Sequence, residues 1–94
     1  MEFEWDADKA ARNLTKHGVS FDDAATVFGN ALAMTYFDPD HSEDEDRFLT
    51  FGQTQSGKMV VVSHTDRGDS IRIISARSMT RKETRQYEEK GQEH

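Results

Sequence analysis

With 94 residues the chain has room for one domain and not two, and with 18 acidic residues against 12 lysines and arginines it carries a formal net charge of −6. The absence of cysteine excludes a disulfide framework and any thiolate metal site, and the longest apolar run, residues 59–62, is far too short to span a membrane. An acidic start that does not read as a signal peptide completes the expectation of a soluble cytoplasmic protein.

Residues 2–6 alternate polar and apolar side chains, the period of a strand with one buried face. Asp6 or Asp8 can cap a helix running to about His17, where Gly18 supplies a left-handed stop. Ser20 opens a second helix, with Asp23 at the approximate capping-box position and Val19 placed to staple against Ala24; it should end near Phe28. Residues 32–37 read as a strand, and the segment from Asp38 to Asp46 is a charged loop holding the only proline, Pro39. Residues 47–54, 58–65 and 70–77 read as three further strands, separated by Gln55-Ser56-Gly57 and Asp66-Arg67-Gly68-Asp69, both good turn compositions. Thr80 then caps a last helix, with Glu83 at the capping-box position and Gly91 beyond its end. The expected fold is one α+β domain over residues 1–94, of order β-α-α-β-β-β-β-α, a mostly antiparallel meander packed against helices. Tyr87 is the only large hydrophobe of the last helix, which therefore rests on the surface or needs a partner.

If Gln55 faces Lys58 and Thr65 faces Ser70, strand parity sorts the side chains. One face collects Leu49, Phe51, Val60, Val62, Ile71 and Ile73, a core that should meet the helices. The other collects Phe48, Thr50, Val61, Ser63, Arg72 and Ile74, with Arg72 across from Ser63. An arginine within Ile71-Arg72-Ile73-Ile74 is either a solvated cation beside a carboxylate or a phosphate ligand, a role suited to its planar, permanently charged fork. Arg67, Arg72 and Arg77 recur at intervals of five, a spacing that does not put all three on one face of a strand: Arg72 points opposite to Arg77.

A net charge of −6 counts against a nucleic-acid enzyme, because phosphate contacts need Lys and Arg. The charge is uneven, however: residues 1–46 hold three basic and twelve acidic side chains, residues 47–94 nine basic and six acidic. A local basic site on an acidic body is therefore permitted. The acidic loop fails as a calcium loop, since its sixth position is Glu43 instead of Gly and its twelfth is Leu49 instead of Glu. Within it His41 stands out as a proton-transfer group for neutral pH. Lys16 and His17 are explained as cations near a helix C-terminus, and Arg81, Lys82 and Arg85 as a solvated helix face. His64 finds no role. No serine–histidine–acid order, Gly-rich phosphate loop or HExxH suggests another enzyme class.

The order of motifs goes further. Phe3-Glu4-Trp5-Asp6 precedes Lys9-Ala10, Asn13 and Lys16-His17-Gly18-Val19-Ser20-Phe21, then Ala24, Val27-Phe28, Asp38, His41-Ser42, Glu45 and Arg47. Gly52, Val61-Val62, Thr65, Arg67, the run from Ile71 to Arg77, Glu83 and Tyr87 complete the series. From Phe3 to about Tyr87 this resembles the BrnT family of ribonuclease toxins. The resemblance implies a RelE-like fold, an endoribonuclease that cleaves RNA without metal or cofactor and blocks translation, and a cognate ribbon-helix-helix antitoxin in a heterotetramer. RNA, with or without the ribosome, would be the target; operator DNA would be reached only through the antitoxin. Under that resemblance His41 and Glu45 are the proton-transfer candidates, Arg47, Arg72 and Arg77 the phosphate and transition-state ligands, and Lys16, His17 and Arg67 further RNA contacts. Two alternatives stay open: an inactive antitoxin-binding co-repressor, and a metal-dependent nuclease using Asp38, Asp40 and His41.

Overall fold

A computed structural model describes residues 1–42 and 44–92; Glu43 of the acidic loop lies outside the described residues. The chain runs β1 (Glu2–Glu4), α1 (Ala7–His17), α2 (Phe21–Ala25), a 3-10 turn (Thr26–Gly29), β2 (Met34–Asp38), a second 3-10 turn (Pro39–His41), β3 (Arg47–Gln53), β4 (Met59–Arg67), β5 (Ser70–Ser78) and α3 (Arg81–Gln92). The strands form one sheet in the order β1-β5-β4-β3-β2, antiparallel except for β1, which lies parallel to β5. The α+β class and the element order are those expected from the sequence.

Local signals set the helix ends. Asp6 accepts from Lys9 N at 3.0 Å to open α1, and Gly18, at φ 71°, closes it with its N–H on Leu14 O. Ser20 accepts from Asp23 N at 3.0 Å to open α2, whose last turn tightens into the 3-10 turn ending at Gly29. Thr80 and Glu83 cap α3 reciprocally, Glu83 N donating to Thr80 Oγ1 at 3.1 Å and Thr80 N to Glu83 Oε1 at 2.9 Å. Three expectations about element ends fail. Asp66 and Arg67, expected in a turn, belong to β4 and pair with Ile71 and Ser70. Gly91 does not end α3, which continues to Gln92. β2 starts at Met34 and not at Leu32, because Asn30 Oδ1 captures Leu32 N at 2.9 Å and holds residues 30–33 in a turn.

α1, α2 and the turn at Thr26–Gly29 cover one face of the sheet. Val19, Phe21, Ala24 and Val27 pack there on Val60, Val62, Ile73 and Ala76, all nearly devoid of solvent contact. Asn13 fastens α1 to β5: its amide donates to Ala76 O at 2.8 Å and Val19 O at 2.9 Å and accepts from Ala76 N at 3.1 Å. A buried side chain thus takes over the ladder where β1 has ended. Gly52 lies under the same layer; a Cβ there would meet Ala33 Cβ at 3.3 Å and Val27 Cβ at 3.4 Å.

The β3–β4 register differs by one residue from the expected one, and the turn explains why. Thr54, not Gln55, faces Lys58: Thr54 N donates to Lys58 O at 2.8 Å and Lys58 N to Thr54 Oγ1 at 3.0 Å. Gly57 takes φ 96°, and the loop is held from outside, Gln55 N on Thr26 Oγ1 at 2.8 Å and Ser56 Oγ on Asp23 Oδ2 at 2.6 Å. A one-residue shift reverses a strand's faces. Phe48 and Thr50 therefore point to the helices with Val60 and Val62, while Leu49 and Phe51 turn to the other side.

The β4–β5 register is shifted by two, which preserves the faces but changes the partner: Arg72 stands across from Thr65 and not Ser63. Beyond it a β-bulge skips Ile74, with His64 facing Ile73 and Ser63 facing Ser75. The extra residue corrects another expectation: Arg72 and Arg77 point to the same face.

Candidate active site

The face away from α1 and α2 divides along its strands. At one end, α3 lies over β2 and β3, leaving a mainly apolar groove of about 550 Å³ lined by Met34, Tyr36, Leu49, Phe51 and Tyr87. Tyr87 donates to Leu32 O at 2.9 Å, and Lys90 Nζ reaches Tyr36 Oη at 2.9 Å. The last helix, sparse in hydrophobes, is held as much by its tips as by burial.

At the other end the register brings five polar residues into one row across the sheet: Asp38 on β2, Arg47 on β3, Thr65 on β4, Arg72 on β5 and Glu4 on β1. Arg47, Thr65 and Arg72 line a depression of about 380 Å³, walled by Asp40, His41, Asp44 and Glu45 from the loop, Lys9 from α1 and Ile74 from the bulge. The sequence reading missed Lys9 and Thr65 as site residues; both lie in the motif series, and only the register and the helix placement carry them here.

Pro39 presets the turn that follows β2 and folds His41 back on Asp38, whose Oδ2 lies 2.9 Å from His41 Nδ1. The Asp38 side chain is 12% exposed and the imidazole 65%. A carboxylate on Nδ1 selects the tautomer and leaves Nε2 available to a substrate. Ser42 closes the loop, its Oγ donating to Asp38 O at 2.6 Å and accepting from Arg47 N at 2.9 Å.

Glu45 is held by Arg67 through Nη2 at 2.9 Å and Nε at 3.2 Å, and Arg67 also reaches Glu4 at 3.4 Å. The Arg67 hydrogen bond lowers the Glu45 pKa below the usual glutamate value. Glu45 is thus a charged, weakly basic carboxylate. Arg72 lies 3.8 Å from Glu4, a long contact that leaves its guanidinium able to take another anion.

Arg77 is differently placed. It forks onto Glu83 at 2.7 and 2.9 Å and donates to Ser78 O at 3.2 Å. The Arg77 hydrogen bond drives the Glu83 pKa down to about 2, and Glu83 pushes that of Arg77 up. Arg77 bolts α3 to β5 and does not line the depression. Lys16 and His17, at the C-terminal end of α1, do not line it either. Among the described residues no group of three or more His, Asp and Glu converges as a metal site would require.

His64 has a structural place. Only 2% exposed, it lies between Phe28 and Phe48, with Nε2 2.7 Å from Thr50 Oγ1 and Nδ1 3.1 Å from Asp66 Oδ1. Burial lowers its pKa, with Asp66 opposing. It is a neutral core imidazole with both nitrogens satisfied.

Fold and site together define a small α+β domain with an arginine- and histidine-bearing depression on the open face of its sheet. Residues 5–83 match the sequence model of the family of ribonuclease toxins, BrnT, of type II toxin–antitoxin systems, and the chain belongs to that family. Its fold is similar to that of the Brucella abortus ribonuclease toxin BrnT, known from a crystal structure, with a TM-score of 0.63 and 23% identity over 86% of this chain and 99% of that one. No curated protein sequence matches the chain. Among the described residues, no helix is long and apolar enough to cross a membrane.

Proposed function

We propose that the chain cleaves RNA in the depression between β3, β4 and β5 without a metal ion, and that this activity blocks translation until an antitoxin covers the toxin. The observation that carries the reading is the cross-strand row, which sets Arg47 and Arg72 on either side of one position with the Asp38-bound His41 beside it. An RNA phosphodiester bound between the arginines has its own nucleophile in the neighbouring 2′-hydroxyl. His41 Nε2 takes the hydroxyl proton as O2′ bonds to phosphorus. The bond from phosphorus to O5′ then breaks, and the proton now on His41 passes through solvent to O5′, leaving a 2′,3′-cyclic phosphate, a 5′-hydroxyl and the regenerated imidazole. Arg47 and Arg72 stabilise the charge that accumulates on the phosphoryl oxygens, the term that dominates such catalysis. Glu45, ionised and fixed by Arg67, orients the cationic side of the site; its lowered pKa makes it a poor base, which leaves proton transfer to His41.

Lys9 replaces Lys16 and His17 as the nearby RNA-binding cation, and Arg77 serves by positioning α3. The antitoxin is of ribbon-helix-helix type, pairs with the toxin in a heterotetramer and carries the operator contact. The test is incubation of purified chain with RNA, with and without chelator, beside Arg72→Ala, together with inducible expression alone and beside the neighbouring gene. Cleavage that survives chelator and is lost in Arg72→Ala supports the reading. Intact RNA with folded protein overturns it in favour of the inactive co-repressor, and loss of cleavage in chelator favours the metal-dependent nuclease.

A further inference from the structure

Thr65 sits in the middle of the row, between Arg47 on β3 and Arg72 on β5, and lines the same depression. It is 2% exposed, yet its Oγ1 has no hydrogen-bond partner among the described residues. Its neighbours show how unusual that is: Thr50 and His64, equally buried, satisfy each other at 2.7 Å. A shielded hydroxyl without a partner lowers stability, whereas valine has the same shape and suits a strand better. Packing therefore gives no reason for a hydroxyl at this position, and a ligand does.

We infer that Thr65 is a phosphate-binding residue: its Oγ1 donates a hydrogen bond to a non-bridging oxygen of one phosphate held between Arg47 and Arg72. Three adjacent strands at one level then supply two cationic forks and a neutral donor, a cradle for a tetrahedral oxyanion. Oγ1 is shielded, so a phosphate reaches it only as flexible side chains of the depression turn aside. Thr65 works from a rigid strand and reaches the phosphoryl oxygens directly, where negative charge grows as O2′ attacks. This inference rests on the depression being the place where RNA is cut, and it extends that reading to free inorganic phosphate as a ligand of the same cradle.

The test uses the full chain with Thr65→Val, Thr65→Ser and Thr65→Ala, titrated with inorganic phosphate by calorimetry and assayed on a short RNA, with melting temperatures measured in phosphate-free buffer. The expected result is that Thr65→Val melts no lower than the parent yet binds phosphate and cleaves RNA at least about tenfold more weakly, the scale of one lost hydrogen bond to a charged group. Thr65→Ser restores both to within about twofold by keeping the donor, and Thr65→Ala loses both. Thr65→Val binding phosphate and cutting RNA like the parent overturns the inference, as does Thr65→Val melting lower while Thr65→Ser fails to restore binding. A parent chain that binds phosphate through Thr65 but leaves RNA intact sinks the ribonuclease reading and keeps the cradle. A parent that cuts RNA but binds no phosphate overturns the cradle alone.

Discussion

Arg72 and Arg77 lie on the same strand, face the same side of the sheet and have the same chemistry, yet the fold gives them opposite duties. Arg77 meets Glu83 at 2.7 Å in a two-pronged contact and joins α3 to the sheet. Arg72 has Glu4 only at 3.8 Å and lines the polar depression. A guanidinium saturated by a carboxylate is a structural fastener, while one whose nearest partner is long is ready for a phosphate. Which arginine belongs to a site follows from the partner it already has, and spacing in the chain does not reveal that.

The contrast predicts a separation of activity from stability. The largest effect is expected for Arg72→Ala, a loss of cleavage of about 10²–10³-fold with a melting temperature close to the parent's, since an exposed ion pair contributes about 0–1 kcal/mol. Parallel cleavage and melting assays check both halves, and a lowered melting temperature with cleavage retained would make Arg72 a fastener like Arg77. His41→Asn comes next, with a loss of about 10²-fold, the lower end for a positioned proton-transfer group; Asp38→Asn should weaken cleavage less, because it disturbs only the imidazole's orientation. Both read out in single-turnover cleavage of a short RNA.

Asn13→Ala is expected to destabilise the fold by about 3 kcal/mol in urea unfolding, because it strands both buried main-chain groups of Ala76 and the Val19 carbonyl. Arg77→Ala and Glu83→Gln should each cost about 1 kcal/mol, and cleavage should survive at temperatures where the variants are folded. The Glu83 pKa of about 2 lies below its ordinary 4.5, so its contribution is complete above pH 4.5 and is lost as the pH falls towards 2. Glu83→Gln should flatten that limb of the stability profile. A second pH limb belongs to His64, whose pKa is lowered by burial from 6.5. Its contribution is complete above pH 6.5; below that the unfolded chain takes up a proton that the buried ring resists, so stability declines. His64→Gln should remove the decline between pH 6.5 and the acid limb of Glu83, measured by urea midpoints against pH.

The elements of this fold were legible because their signals are local. Asp6 and Gly18 around α1, Ser20 before α2, and Thr80 with Glu83 at α3 act within one turn of the backbone, and each makes the contact its position promises. Alternation marked the strands, and the motif series marked the family. The two faces of β3, by contrast, were reversed by a single residue of register, set by Thr54 with Lys58 and by bonds to Thr26 and Asp23 far away in the chain. The site depended on still more distant events. A bulge at Ile74 turned Arg72 and Arg77 to one side, and five strands placed Asp38, Arg47, Thr65, Arg72 and Glu4 at one level. Local chemistry in the sequence thus determined where helices and strands begin and end. Which side chains share a face, and which arginine is left for a phosphate, was decided by tertiary structure, because strand register has a period of two and turns on contacts between residues remote in the chain.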